Sequence, residues 1–171
     1  MKDQVQQPID WGKERGNTRP PTPASSTLFS TNDEATALDE EASDLFHSIV
    51  QKLLYICKRA WPDIEPAISF LCTRVSSPNV VDNIKLTRVL RYLQNTIEDR
   101  RVIGINNMDT LETWVDAAYA VHQDMRSHTG GTMSFGTGVI HTRSSKQKLN
   151  TKSSTEAKLV GVSEYAVGPV V

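Results

Sequence analysis

Cysteine, aromatic residues and long apolar runs are all scarce in this sequence, and each shortage argues against a class of protein. The two cysteines, Cys57 and Cys72, stand in separate apolar segments, without Cys-x-x-Cys spacing or a nearby histidine pair. That pattern argues against a disulfide scaffold and against a cysteine zinc site, and leaves two reduced, buried thiols. No stretch approaches the roughly 18 consecutive apolar residues that span a bilayer. The polar start, MKDQVQQPID, lacks the apolar core of a signal peptide. The expectation is a soluble intracellular protein, cytoplasmic or nuclear, not secreted and with no membrane partner.

Charge of one sign is also lacking overall, since the formal net charge is -1. The balance is local rather than uniform. Residues 31–44 hold six Asp or Glu and no Lys or Arg, whereas residues 141–158 hold five Lys or Arg and one Glu. Such a basic end fits either a nucleic-acid contact or a solvated face. What the chain does have is a 38% hydrophobic content over 171 residues, enough for one ordinary domain or two small ones.

Residues 1–42 are rich in Pro, Thr, Ser and acidic side chains and have no apolar period. They read as a mostly disordered linker, with Leu28 and Phe29 as an apolar pair able to dock. Helical spacing starts near Asp44, where Phe46, Ile49, Val50, Leu53, Leu54 and Cys57 line one face. A second helix is predicted over 64–75, starting at Glu65 or Pro66, because a proline is tolerated only in the first turn. Ile84, Leu86, Val89, Leu90 and Leu93 mark a third.

Residues 101–105 have the composition of a short strand. Beyond Leu111 the pattern becomes extended over 113–120, 132–135 and 139–143, with turns predicted at Gly130-Gly131 and Gly136-Thr137-Gly138. This is an antiparallel meander. Helical character returns after Ser153, with Leu159, Val160, Ser163 and Val167 on a common face.

Asp116 lies in Trp114-Val-Asp-Ala-Ala-Tyr-Ala120, a strand apolar on both faces and so expected at the centre of a covered sheet. A carboxylate buried there must pair with a cation, cap a turn or bind metal, because an unpaired buried ion costs several kcal/mol. Glu156 has two readings. Ser153-Ser-Thr-Glu156 fits a capping box, and the same residue stands at the start of the face expected to turn toward the sheet, within reach of Asp116. Two such carboxylates suit magnesium, a hard cation that prefers oxygen ligands.

The run Val115-Asp-Ala-Ala-Tyr-Ala-Val-His-Gln-Asp-Met-Arg-Ser-His-Thr-Gly130, followed by Ser144-Ser-Lys-Gln-Lys148 and Ser153-Ser-Thr-Glu-Ala157, resembles the ribonuclease H domain of copia-type retrotransposon polyproteins. Upstream, Phe46-His-Ser-Ile-Val-Gln-Lys-Leu-Leu54, Arg59-Ala-Trp-Pro-Asp-Ile64 and Arg88-Val-Leu-Arg-Tyr-Leu93 look like the reverse-transcriptase thumb and connection segment of the same polyproteins. The resemblance implies an α/β (α+β) chain in three parts: a linker over 1–42, thumb-like helices over 43–105, and over 106–171 the first half of a ribonuclease H-like domain. It also implies that Asp116 and Glu156 are catalytic ligands of Mg2+, that the partner is an RNA-DNA hybrid, and that the parent reaction hydrolyses its RNA strand.

Several departures accompany the resemblance. The family's fourth strand, with a further catalytic aspartate, and its polymerase palm are not in the sequence, and Lys158 stands where the family commonly has a second glutamate. Trp61, Pro66 and the stretch after Ala166 also differ. The expectation is therefore a polyprotein fragment without appreciable activity alone. One alternative is a noncatalytic nucleic-acid binder using Lys85, Arg88, Arg91, Lys146, Lys148 and Lys152; another is a decayed remnant. Ser145-x-x-Lys148, which matches a short acyl-transferase pattern, reads as chance because its companion motifs are missing. His122, His128 and His141 are too scattered in sequence for a ligand set and are assigned to surfaces or turns.

Overall fold

The computed structural model describes residues 20–167, and the chain divides into two compact units, Met1–Asp99 and Arg100–Val171. Helices and antiparallel sheets are both present, which makes this an α+β chain.

In the first unit, α1 (Glu40–Cys57) begins where Asp39 accepts a hydrogen bond from the backbone N–H of Ala42, with Glu40 and Glu41 at the positive helix end. Its stripe buries Phe46, Ile49, Val50, Leu53 and Cys57. Leu54, placed in that stripe by its spacing, is 39% exposed, because it lies about 100° around the helix from its buried neighbour Leu53. After a 3-10 turn at Pro62–Ile64, α2 (Glu65–Cys72) carries Pro66 in its first turn, where the missing N–H breaks no helical bond.

The third helix, α3 (Val80–Asn95), starts earlier than its apolar spacing indicated. Asn79 and Asp82 form a capping box there. Ile84 is 63% exposed, and Leu86, Val89, Leu90 and Leu93 carry the buried face. Both cysteines are free thiols. Burial raises the pKa of Cys57 to about 12 and also raises that of Cys72.

Residues 1–19 of the expected linker lie outside the described residues. Residues 20–39 are irregular but packed: Leu28 is buried, and the rings of Phe29 and Phe70 meet edge-to-face at 5.8 Å. Asn79 donates to the carbonyl of Asn32 at 2.9 Å.

The second unit holds a small pair, β1 (Gly104–Ile105) with β4 (Gly136–Thr137), and a three-stranded antiparallel sheet of β2 (Glu112–Ala118), β3 (His128–Ser134) and β5 (His141–Lys146) in the order β2-β3-β5. A fourth helix, α4 (Ser154–Val167), packs on β2 and β3. Gly130 and Gly131, expected as a turn, lie inside β3. Gly131 is needed there because a Cβ at that position would come within 2.4 Å of the Tyr165 ring. The strand expected at the centre of a covered sheet, β2, is instead an edge strand, and Trp114 on it is 53% exposed.

Candidate functional site

The sheet has two distinct faces, and strand alternation assigns each side chain to one of them. A Cβ at Gly161 of α4 would lie 3.5 Å from the Cβ of Ala117 and 3.2 Å from Thr129. Ala117 and Thr129, which pair across β2 and β3, therefore face the helix. Asp116, Gly130 and Ser144 occupy the next cross-strand row and face the other way.

The helix seats itself through two small residues and one ring. Among its described side chains Ala157, Gly161 and Tyr165 are buried, while Leu159 is 67% exposed. Of the face expected from Leu159, Val160, Ser163 and Val167, Leu159 and Ser163 are exposed and Val160 is half-buried, while the side chain of Val167 lies outside those described. The small Ala157 and Gly161 let the helix come close to Ala117 and Thr129. Buried Gln147 completes the seat by donating to Thr129 Oγ1 at 2.9 Å and to the carbonyl of Ala157 at 2.8 Å.

Asp116 is not a buried carboxylate. Its side chain is 84% exposed, and Lys158 reaches it with Nζ 3.5 Å from Oδ1. Glu156 follows the capping reading in part: its N–H donates to Ser153 Oγ at 3.2 Å, whereas its Oε2 accepts from the backbone N–H of Lys152, one residue before Ser153, at 2.6 Å. The two carboxylates are oxygen donors of the kind magnesium prefers. In this arrangement Asp116 has the Lys158 ammonium beside it and Glu156 accepts a backbone hydrogen bond. Among the described residues no group of three or more His, Cys, Asp or Glu is placed to hold a metal.

The cations singled out in the sequence have assigned partners in several cases. Lys85 donates to the carbonyl of Ser30 at 2.5 Å, and Arg88 donates to the carbonyl and hydroxyl of Thr22 at 3.1 and 3.0 Å. With Arg91 they line a cavity of about 760 Å³. Burial lowers the pKa of Lys85. Lys146 lies 2.7 Å from Asp124 and holds that carboxyl below its usual range. Lys148 and Lys152 are exposed.

Sequence reasoning missed a polar cluster on the open face. His122 and His128, assigned to surfaces or turns, are both buried, and His122 Nε2 lies 3.0 Å from His128 Nδ1. His128 Nε2 lies 2.7 Å from Ser144 Oγ. The available signal was the β2–β3 hairpin: a histidine inside its loop and another at the first residue of the returning strand meet once the hairpin closes.

No family profile matches the chain, and no solved structure matches it. An uncharacterized mitochondrial protein of Arabidopsis thaliana is 33% identical over 125 residues, covering 72% of this chain and 51% of that protein. A Saccharomyces cerevisiae protein named for transposon Ty5-1 is 30% identical over 121 residues, 70% of this chain and 39% of its own length. The chain thus spans about half of the first of these relatives and less of the second. Secreted RxLR effector protein 161 of Plasmopara viticola is 30% identical over 118 residues, 68% of this chain and 83% of that protein. At that identity and coverage, the chain belongs to the family that these proteins share, one member of which is named for a transposon.

Proposed function

We propose that the chain is a piece of a copia-type retrotransposon polyprotein, made of thumb- and connection-like helices and the opening part of a ribonuclease H domain. The supporting observation is the element order of the second unit: Asp116 stands on the first strand of an antiparallel meander, and Glu156 stands at the start of the helix that packs on it. Kinship with a protein named for transposon Ty5-1 supports the same reading. The parent activity is metal-dependent hydrolysis of the RNA strand of an RNA-DNA hybrid.

This chain alone has no appreciable ribonuclease activity in our reading. The basis is Lys158, whose ammonium stands beside Asp116 and competes with a cation for it, and the backbone hydrogen bond that Glu156 already accepts. The test is incubation of the purified chain with magnesium and a labelled hybrid. Intact RNA is expected; cleavage that disappears in Asp116→Asn would overturn the inactivity. Translation of the flanking genomic sequence tests the polyprotein reading separately, since a neighbouring polymerase palm supports it and unrelated flanks oppose it.

A further inference from the structure

Two dipeptides of the chain place a hydroxyl residue before a proline, Thr22-Pro23 and Ser77-Pro78, and both hydroxyl residues are exposed. Proline in that place pushes the residue before it toward extended backbone, the form in which a kinase cleft takes its acceptor. The two sites differ in their surroundings. Thr22 Oγ1 lies 3.0 Å from Arg88 Nη2, and the carbonyl of Thr22 lies 3.1 Å from Arg88 Nε, so one guanidinium holds the residue at two points. Ser77 donates its N–H to the carbonyl of Arg74, but that guanidinium is turned to Asp82 at 3.1 Å and to Asp33 at 3.8 Å.

Arg88 stands in a row of cations. Lys85, Arg88 and Arg91 follow one another along α3 and line the cavity they share with residues of the 20–27 segment, and none of the described residues lining it is acidic. Asp82, on the same helix, acts on Lys85 but bonds to Arg74. Such a row favours an incoming anion. A threonine phosphate carries about −1.5 to −2 charge at pH 7 and presents strong acceptor oxygens. A guanidinium has more N–H groups than the two that Arg88 gives to Thr22, and its planar fork suits phosphate oxygens. Esterification costs one bond, because Thr22 Oγ1 donates to the carbonyl of Ala24 at 2.8 Å and the ester oxygen has no proton to give. A neutral hydrogen bond at an exposed bend is thus exchanged for charge-assisted ones, which are roughly twice as strong.

We infer that Thr22 is a phosphorylation site whose phosphate is received by Arg88 and fastens the 20–30 segment to α3. A proline-directed serine/threonine kinase performs the transfer. Thr22 Oγ1 bonds to the γ-phosphorus of ATP, the bond from that phosphorus to the bridging oxygen breaks, ADP leaves, and the hydroxyl proton passes to the kinase's base. The segment is already tied to the same helix farther along, where Lys85 donates to the carbonyl of Ser30 at 2.5 Å. Between the two ties Leu28 is buried in the helical core and Phe29 packs against it. Phosphate on Thr22 strengthens the outer tie.

The experiment treats the full chain with magnesium ATP and a proline-directed kinase, maps the phosphate by mass spectrometry, and follows its phosphorus NMR resonance against pH. Phosphate is expected on Thr22, and Thr22→Val should remove it. In the folded chain the second ionisation of that phosphate should fall by about half a pH unit or more from its ordinary value of about 6, because a nearby cation favours the charged form. Urea unfolding should restore the ordinary value, as should Arg88→Gln, while Arg88→Lys should keep part of the fall. Hydrogen exchange at residues 24–30 should slow on phosphorylation of the native chain and stay unchanged in Arg88→Gln. Absence of phosphate from Thr22, or phosphate confined to Ser77, would overturn the site. Phosphate on Thr22 that titrates alike in the folded and unfolded chain would overturn Arg88 as its receiver, and that comparison decides the matter even if Arg88→Gln fails to fold.

Discussion

The two units are held together by different physics. In the helical unit, Val50, Leu53, Ile68, Leu71, Leu86 and Leu90 are completely buried within one continuous apolar cluster. In the sheet unit, the buried apolar residues among those described are Ala117, Met133, Ala157 and Tyr165, and they are outnumbered by buried His122, Ser127, His128, Thr129, Ser134, Gln147 and Thr151. The first unit is therefore stabilised mainly by removing apolar area from water. The second depends on polar groups finding partners, since each buried donor or acceptor left unmade costs about 1–3 kcal/mol.

The largest test of that contrast is Leu90→Ala. Removing a fully buried leucine from the α3 face is expected to cost about 2–5 kcal/mol. Residue-resolved hydrogen exchange should show the loss across α1, α2 and α3. If protection in those helices were unchanged, the apolar cluster would not be what holds the unit.

Gly131→Ala probes the other unit at its tightest contact. An added methyl meets the Tyr165 ring at 2.4 Å, an overlap that must displace the ring and is expected to cost about 1–3 kcal/mol. The measurement is the urea midpoint of the sheet-unit amides. An unchanged midpoint would mean that Tyr165 does not seat the helix.

Much of the helical unit was legible in the sequence because an apolar core writes its period directly into the chain. Phe46, Ile49, Val50, Leu53 and Cys57 are buried as their spacing required, and Pro66 marks the first turn of α2. Errors arose where a neighbouring apolar residue points outward, as Leu54 and Ile84 do. The sheet unit was less legible because its contacts depend on the absence or polarity of side chains. Gly130 and Gly131 have the composition of a turn, yet β3 uses the space they leave. Ala157 and Gly161 leave almost no apolar signal, so Leu159 and Val160 stood out instead. Asp116 reads in the sequence as a buried carboxylate, whereas its exposure follows from β2 being an edge strand, which requires the sheet order. The pairing of His122 with His128 is likewise a product of hairpin closure.

The polar character of the second unit also gives it a pH response. Burial is the largest cause lowering the pKa of His122 below its ordinary value of 6.5. The folded state therefore resists protonation more than the unfolded chain does. Stability from the neutral side chain is fully present above about pH 6.5 and is lost as pH falls through the lower folded value. The groups acting on this ring are His128, Lys146 and Asp124. Thermal melts of the sheet unit should fall between neutral and acidic pH, and His122→Gln should flatten that part of the curve. A slope that survives His122→Gln would assign the response to another group.

The smallest expected change in stability, and the one that bears on the proposed function, is at Lys158. With side chains 63% and 84% exposed, the Lys158–Asp116 pair is a solvated contact, so Lys158→Ala should alter stability only slightly. Lys158→Glu does more: it replaces the ammonium beside Asp116 with a second carboxylate and sets like charges against each other unless a cation lies between them. Without magnesium the variant should be slightly less stable than the native chain. With millimolar magnesium the difference should disappear, and the backbone resonances of Asp116 should shift during the titration while those of the native chain stay fixed. Identical titrations of the two proteins would show that Lys158 is a bystander, and the reading of an ammonium-occupied metal position would have to be given up.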